Sequence, residues 1–401
     1  MAALRSVSVD SGVVRARPRR ACDLLLLAVS AILFAWSLLV VVRAPTSWLW
    51  IAAVIADEWG HFGALFCLML AAVCFSRGGV VARSGSLVAT VAALFFASPA
   101  IRAATIASRL PTRCSEAFGP VQADARVPLS AWTLFRGIRG RHVEVAEHVY
   151  AAAGNKRLKL DLYRSAHHDR AQPLVIMIHG GSWKGGGKQE LPALNRYLAS
   201  EGYVVAAINY RHAPDWPFPA AVDDVFSAIN FLKERGAEFN IDTTQIALVG
   251  RSAGGQIALS AAYAQRDAGI RGVVAFYAPS DLVMGYEHPS APGVLDSRKV
   301  LRDYLGGTPS DKPAVYAAAS PVNFVNAATP PTLLIHGGLD PIVSPAHSER
   351  LAAKLSEAAR PNLYLTLPWG THGCDANLSG PGGQLSLYAI DRFLASFLKS
   401  E

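Results

Sequence analysis

The stretch Ile246-Ala247-Leu248-Val249-Gly250-Arg251-Ser252-Ala253-Gly254-Gly255 decides the fold of this chain. Its apolar half predicts a buried strand, and the small residues that follow place Ser252 in a tight strand-to-helix turn. Such a turn lifts the serine hydroxyl above the carboxyl edge of a sheet, and the next helix directs its positive end at that hydroxyl. Ser252 is therefore the candidate nucleophile. The alternative is a glycine-rich turn with a surface serine.

A serine hydroxyl becomes a good nucleophile only beside a base. In the chain order Ser, Asp, His the base lies late, and His372 follows the apolar stretch Leu363–Leu367. Because its loop leaves the same edge of the sheet as Ser252, His372 is the candidate base. Of the other late histidines, His347 is expected on the surface at the start of a helix, and His336 in a structural role.

The acid that orients the base should follow the preceding strand. Pro331–Ile335 leads into His336-Gly337-Gly338-Leu339-Asp340. Asp340 can accept a hydrogen bond from the imidazole and hold its tautomer. Asp281, which follows a strand ending at Tyr277, is the alternative acid, and helix capping or a turn is the structural interpretation of Asp281.

Backbone donors for an oxyanion are expected in His179-Gly180-Gly181-Ser182-Trp183, which follows the apolar stretch Leu174–Ile178. Glycines let backbone N–H groups approach a substrate oxygen, and the amide after the nucleophile supplies a further donor. The candidate oxyanion hole therefore consists of Gly180, Gly181 and Ala253.

Strand and helix patterns alternate from His142 to the end of the chain. Short apolar stretches predict strands at 174–178, 203–208, 246–249, 272–277, 331–335 and 363–367. Helical spacing appears at 191–200, 220–235, 256–265, 344–359 and 385–398. This alternation predicts an α/β fold, a mostly parallel sheet with helices on both faces. A hairpin around Gly154-Asn155 predicts an antiparallel edge, and residues 282–320 predict either a lid over an acyl pocket or an ordinary surface excursion.

Composition points to membrane segments in the first part of the chain. The 401 residues are 51% hydrophobic and 17% charged, against about 25% charged in an average soluble domain. Uncharged or nearly uncharged stretches at about 24–42, 59–75 and 84–101 are long enough to span a bilayer as helices. We therefore predict a basic tail over 1–20, a transmembrane region over 21–101, a connector over 102–140 and a catalytic domain over 141–401. Buried helices of a soluble core are the alternative.

Three spans would place the catalytic domain outside the cytoplasm if the arginine-rich N-terminus lies inside; with one span fewer, the domain would be cytoplasmic. Asp57, Glu58 and His61 begin the second span and are expected at the membrane interface rather than in a proton relay. Every third residue of part of the connector is apolar: Leu129, Trp132, Phe135 and Ile138. This segment predicts either a basic amphipathic helix on the membrane surface or a cap over the site.

Charge and cysteine content exclude several classes of site. The net charge is +8, but no nucleic-acid module follows the basic tail, so the arginines are interpreted as a topology signal. The 5 cysteines form no C-x-x-C pair, and Cys114 and Cys374 would pair only in an oxidising compartment. The sequence has no P-loop, dinucleotide fingerprint or metal-ligand set, so neither a cofactor nor a metal is expected.

Residues 141–401 resemble the esterase/lipase branch of the α/β-hydrolases, which includes hormone-sensitive-lipase-like, feruloyl-esterase-like and kynurenine-formamidase-like enzymes. The resemblance is carried by the Ser252 turn, the Asp340 and His372 loops, His179-Gly180-Gly181-Ser182-Trp183, and Tyr210-Arg211-His212-Ala213-Pro214 with Phe218-Pro219-Ala220-Ala221. Ser182 and Trp183 stand where lipases carry a third glycine, which is the form of the feruloyl-esterase-like and formamidase-like members. Residues 1–140 lie outside the resemblance.

The resemblance and the apolar stretches together imply a multi-pass membrane protein that hydrolyses carboxylic esters. Ser252 would attack the ester carbonyl, His372 would take its proton, and water would hydrolyse the acyl-enzyme. A small-molecule or lipid ester is the expected substrate and a membrane the expected partner, with no nucleic acid; the oligomeric state stays open. An amide-cleaving formamidase or peptidase and a catalytically silent binding module on a membrane anchor are the alternatives.

Overall fold

The computed structural model describes residues 13–120, 126–138, 142–154, 156–165, 170–264 and 266–398. Residues 1–12 of the predicted basic tail, residues 139 and 140 of the predicted connector, Arg141 at the predicted start of the catalytic domain, and Asn155 of the predicted hairpin turn lie outside these ranges.

Three long apolar helices open the chain, as predicted. They are α1 (Val13–Ser37), α2 (Ser47–Arg77) and α3 (Val80–Ala107), and each is long and apolar enough to cross a membrane. α1 is followed by a 3-10 turn at Leu38–Val40. α2 begins well before the predicted start at Trp59, because the polar turn at Asp57-Glu58 is helical and covered by the rest of the protein.

Two short helices of the predicted connector pack on the larger domain. α4 (Leu110–Phe118) buries Leu110, Cys114 and Phe118 in the same hydrophobic cluster as one face of the sheet. α5 (Ala131–Arg136) buries Leu134 and exposes Trp132. None of the described connector residues lines the cavity at Ser252, so the cap alternative does not hold for them.

The eight strands form one sheet in the order β1-β2-β4-β3-β5-β6-β7-β8. They are β1 (Val143–Ala153), β2 (Lys156–Ser165), β3 (Gln172–Ile178), β4 (Val204–Ile208), β5 (Ile241–Arg251), β6 (Ile270–Phe276), β7 (Thr332–Gly337) and β8 (Asn362–Leu367). β2 pairs antiparallel with both β1 and β4, and the remaining pairs are parallel. The predicted α/β fold with an antiparallel edge is confirmed.

Helices cover both faces of the sheet. They are α6 (Pro192–Ser200), α7 (Ala220–Glu234), α8 (Gly236–Phe239), α9 (Ala253–Tyr263), α10 (Leu282–Glu287), α11 (Ser297–Leu305), α12 (Pro313–Ala319), α13 (Ala346–Glu357) and α14 (Pro381–Phe397). One hydrophobic cluster joins α7 and α9 to the sheet, and a second joins α6 and α14 to its other face. The parallel strands β5, β7 and β8 end at the same edge, which brings three loops that are distant in sequence together.

Candidate active site

Ser252 occupies a strained turn between β5 and α9. Its backbone has φ 52° and ψ −120°, a conformation that residues other than glycine rarely adopt. The two flanking glycines are required by close approach: a Cβ at Gly250 would lie 2.1 Å from the Gly254 oxygen, and a Cβ at Gly254 would lie 2.2 Å from the Ile178 oxygen. The sequence therefore folds here into a turn that presents the serine hydroxyl at the sheet edge.

The structure brings Ser252, His372 and Asp340 into one hydrogen-bonded row. His372 Nε2 lies 3.0 Å from Ser252 Oγ, and His372 Nδ1–H donates to Asp340 Oδ2 at 2.7 Å. Asp340 and His372 are buried, whereas Ser252 is half-buried and lines a cavity. These distances suit transfer of a proton from the hydroxyl to the imidazole.

The carboxyl group of Asp340 is held ionised at the end of this row. Burial would raise the pKa of Asp340, but the His372 imidazole and hydrogen bonds from His336 and His372 outweigh burial and hold that pKa well below its usual range. The backbone N–H groups of Ile342 and Val343 also donate to Asp340 Oδ1, at 2.8 and 2.9 Å.

The chain is similar to several known proteins. The family model BD-FAE matches residues 160–355. The esterase LipQ of Mycobacterium tuberculosis is 29% identical over 243 residues, which are 56% of this chain and 56% of LipQ. This chain thus spans little more than half the length of the curated relatives it matches.

Two solved structures share the fold. A bacterial heroin esterase is 22% identical, with a TM-score of 0.56, over 64% of this chain and 85% of that chain. The esterase Est2 of Thermogutta terrifontis, solved with propionate bound, is 25% identical, with a TM-score of 0.52, over 64% of this chain and 96% of that chain.

These matches confirm the predicted resemblance of this chain to the esterase/lipase branch of the α/β-hydrolases. The other histidine and acid candidates are held by contacts of their own. The prediction that His347 lies on the surface is wrong: the residue is 3% exposed, because Asp281 and Gly285 lie against its ring. Its Nδ1 accepts from the Asp281 N–H at 3.3 Å, and burial lowers the pKa of His347 to about 4. His336 is fully buried and contacts Ser348 Oγ and the Val343 oxygen.

Asp281 lies away from the hydrogen-bonded row. Its Oδ1 accepts from the Met284 N–H at 3.0 Å, which caps α10, and its Oδ2 lies 2.9 Å from Arg350 Nη1. The structural interpretation of Asp281 therefore fits these contacts.

The residues of the predicted oxyanion hole differ in one respect from the sequence prediction. The Gly180 N–H donates to the carboxylate of Glu190, so it is already engaged. Gly181 has φ +104°, and a Cβ there would lie 2.2 Å from the Gly185 oxygen. Ser182, Ser252 and Ala253 line the same cavity. Sequence reasoning missed Glu190, since a carboxylate ten residues downstream carries no recognisable signal.

Residues around the His372 ring also escaped sequence reasoning. The Tyr277 ring centroid lies 4.3 Å from that of His372, and the Tyr277 hydroxyl donates to Asp375 Oδ1 at 2.7 Å. The Trp50 ring, from α2, approaches His372 edge-on at 6.1 Å. The imidazole is thus enclosed by aromatic groups from two separate parts of the chain.

A small apolar cavity opens at Ser252, with a volume of about 50 Å³. It is lined mainly by side chains of the 282–320 insertion and of the loop after Asp340: Leu282, Leu295, Val300, Leu301, Ile342 and Val343. Among the described residues, no cluster of three or more His, Cys, Asp or Glu side chains is arranged to hold a metal. All five cysteines are described and carry free thiols, Cys114 and Cys374 included.

Proposed function

We propose that this chain is a membrane-anchored serine hydrolase that cleaves carboxylic esters through an acyl-enzyme on Ser252. The observation that carries the proposal is the row Ser252–His372–Asp340, with contacts of 3.0 and 2.7 Å. The likeness to LipQ, which is named as an esterase, supports ester cleavage as the activity.

In this mechanism Asp340 accepts the Nδ1–H of His372, so Nε2 is free to accept the Ser252 proton. As Oγ bonds to the ester carbonyl carbon, the proton moves to Nε2, and the imidazolium then gives it to the departing alkoxide. His372 next takes a proton from water, which attacks the acyl carbon. The acid leaves, the proton returns to Oγ, and the free serine is restored.

The negative oxygen of the tetrahedral intermediate needs donors at the same edge. We assign this role to the backbone N–H groups of Gly181 and Ala253, with Ser182 beside them, because the Gly180 amide is already bound to Glu190. The positive end of α9 adds to the stabilisation.

The cavity beside Ser252 supports a short acyl group. A single water needs about 10–15 Å³ of such a volume, so about 50 Å³ accommodates a chain of a few carbons. The similar Est2 structure holds propionate, which agrees with a short acyl group. We therefore propose esters of short carboxylic acids as the substrate class.

The test is labelling with a fluorophosphonate probe together with turnover of p-nitrophenyl butyrate. Wild type should be labelled and active, and Ser252→Ala should lose labelling and at least about 10⁴-fold in kcat. Ser227→Ala, on α7 with its hydroxyl bonded to the Asp223 oxygen, is the matched control. Equal labelling of wild type and Ser252→Ala would exclude Ser252 as the nucleophile, and faster turnover of an aryl formamide than of the ester would favour amide cleavage.

We also propose that the three apolar helices cross a membrane and hold the catalytic domain outside the cytoplasm. Arg77, at the end of α2, pairs with Asp23 of α1, so the arginine-rich start of α1 lies at the end of the bundle remote from the sheet. The positive-inside tendency places this end in the cytoplasm. In sealed right-side-out vesicles, added protease should cleave the catalytic domain; protection until the vesicles are lysed would reverse the orientation.

A further inference from the structure

The second apolar helix, α2, presents two chemically different faces. One face carries exposed apolar and aromatic side chains spaced three or four residues apart: Trp48, Ile51, Ile55, Trp59 and Phe62. Asp57 lies on the opposite face, two turns after Trp50, and Glu58 lies beside the exposed row; the two carboxylates are 1% and 0% exposed. An ionisable side chain in a membrane helix is costly unless it faces a protein partner. Asp57 and Glu58 are therefore expected to bind groups of the protein.

The face of α2 that carries Trp50 and Asp57 binds the backbone of the loop that carries His372. Trp50 Nε1–H donates to the His372 carbonyl oxygen at 2.7 Å. About two turns further along α2, Asp57 Oδ2 accepts from the Thr371 N–H at 3.1 Å. Backbone groups of two neighbouring residues, Thr371 and the candidate base His372, are therefore bound by one helix.

Glu58 fixes the far end of the same loop. Its carboxylate accepts from the Gly382 and Gly383 N–H groups at 3.2 and 3.3 Å, in the first turn of α14. The Asn377 side chain donates to the Glu58 carbonyl oxygen at 3.1 Å. A carboxylate at a helix N-terminus is favoured by the unpaired N–H groups and by the helix dipole. The segment between Thr371 and Gly383 is thus bound to α2 at both ends.

We propose that α2 is part of the active site, with Trp50 and Asp57 as positioning residues for His372. This inference rests on the hydrolase function proposed above. Neither side chain reaches the hydrogen-bonded row with a polar atom: both act on the backbone of the loop and so set where the imidazole lies between Ser252 and Asp340. Since a misplacement of about 1 Å can cost about 10²-fold in rate, activity depends on α2 being packed in place.

The test uses the full chain in lipid nanodiscs. Trp50→Phe keeps a ring but removes the donor to His372, and Asp57→Ala removes the acceptor from Thr371. Both should lower kcat on p-nitrophenyl butyrate by about 10- to 100-fold, with KM within about twofold and an equally slower rate of fluorophosphonate labelling. Asp57→Asn, which keeps a side-chain oxygen at the same place, should recover most of the loss.

Trp48→Phe is the matched control, since it makes the same change on the exposed face of α2, where Trp48 is 66% exposed. It should match wild type, and all variants should show wild-type thermal unfolding midpoints to within a few degrees. Wild-type kcat and labelling rate in both Trp50→Phe and Asp57→Ala would overturn the positioning role. The positioning role would also be overturned if Asp57→Asn did not recover the lost kcat and if the fall in kcat simply matched a fall in the amount of folded protein. Failure of the wild type itself to label at Ser252 would instead overturn the proposed function.

Discussion

Arg251 and Asp375 form a buried ion pair that joins the turn of Ser252 to the loop of His372. The Arg251 Nε–H donates to Asp375 Oδ2, and the two side chains are 4% and 3% exposed. Burial would lower the pKa of Arg251, but the charge and hydrogen bond of Asp375, together with weaker effects of Tyr277 and Glu190, outweigh burial and raise that pKa. Arg251 precedes the candidate nucleophile, and Asp375 lies three positions after the candidate base. The ion pair therefore connects the two loops a second time, in addition to the contact between Ser252 and His372.

Removing one partner of this ion pair should destabilise the protein strongly. Asp375→Asn leaves the Arg251 charge buried without its carboxylate, and we expect a loss of about 3–5 kcal/mol in the free energy of unfolding. Asp223→Asn, in the exposed pair with Arg266, should leave the unfolding midpoint unchanged. Denaturant titration checks both. A double variant, Arg251→Met with Asp375→Leu, should be more stable than Asp375→Asn, because it leaves no buried charge without a partner. A double variant less stable than Asp375→Asn would show that an unpaired buried charge at Arg251 is not the cause of the destabilisation.

Gly250→Ala should abolish labelling at Ser252. The added Cβ would lie 2.1 Å from the Gly254 oxygen, so the turn cannot keep its shape. Gly185→Ala is the control, because its Cβ would meet nothing within 4 Å. Fluorophosphonate labelling and kcat should fall by at least about 10²-fold in the first variant and stay near wild type in the second. Normal labelling of Gly250→Ala would contradict the close approach at this turn.

Leu295→Ala should extend the range of acyl chains that the protein accepts. Leu295 is half-buried and lines the cavity of about 50 Å³ at Ser252, so its truncation enlarges the space for an acyl chain. Wild type should lose activity on p-nitrophenyl esters longer than a few carbons, and Leu295→Ala should shift the optimum to longer chains. Leu129→Ala, at a half-buried leucine outside this cavity, should keep the wild-type profile. An unchanged chain-length profile in Leu295→Ala would place the acyl group elsewhere.

Acid should destabilise the fold between about pH 6.5 and 4. Burial lowers the pKa of His179 and of His347 to about 4 in the folded protein, against about 6.5 in the unfolded chain. In this window the unfolded chain binds more protons, so stability is full above pH 6.5 and falls as the pH drops through the folded pKa. Each histidine accounts for about 3 kcal/mol at about 1.4 kcal/mol per pKa unit.

Unfolding midpoints measured from pH 7 to pH 4 check this dependence. His347→Gln should show a shallower decline with falling pH than wild type. The exposed His142→Gln should decline as wild type does. If the unfolding midpoint fell equally steeply in wild type and in His347→Gln, the pKa of His347 would not differ between the folded and the unfolded protein.

The α/β fold and the three residues of the row were predictable because each depends on a local pattern. Strand and helix periodicity, the small residues around Ser252 and the position of His372 after a late strand are all features of short segments. His347 was wrongly predicted to lie on the surface, because the groups that cover its ring, at Asp281 and Gly285, are more than sixty residues away in sequence. The engagement of Gly180 by Glu190 also depends on how a loop folds back on itself.

The amino-acid sequence by itself determined the three apolar helices, the mostly parallel sheet and the turn at Ser252, since backbone conformation and hydrophobic periodicity act over a few residues. Only the tertiary structure decided that Asp57 and Glu58 lie against the His372 loop. It also decided that Arg251 pairs with Asp375. Those contacts join residues more than a hundred positions apart. Which groups pair depends on how the helices pack together and on the need of each buried charge for a partner, and no local sequence pattern contains that information.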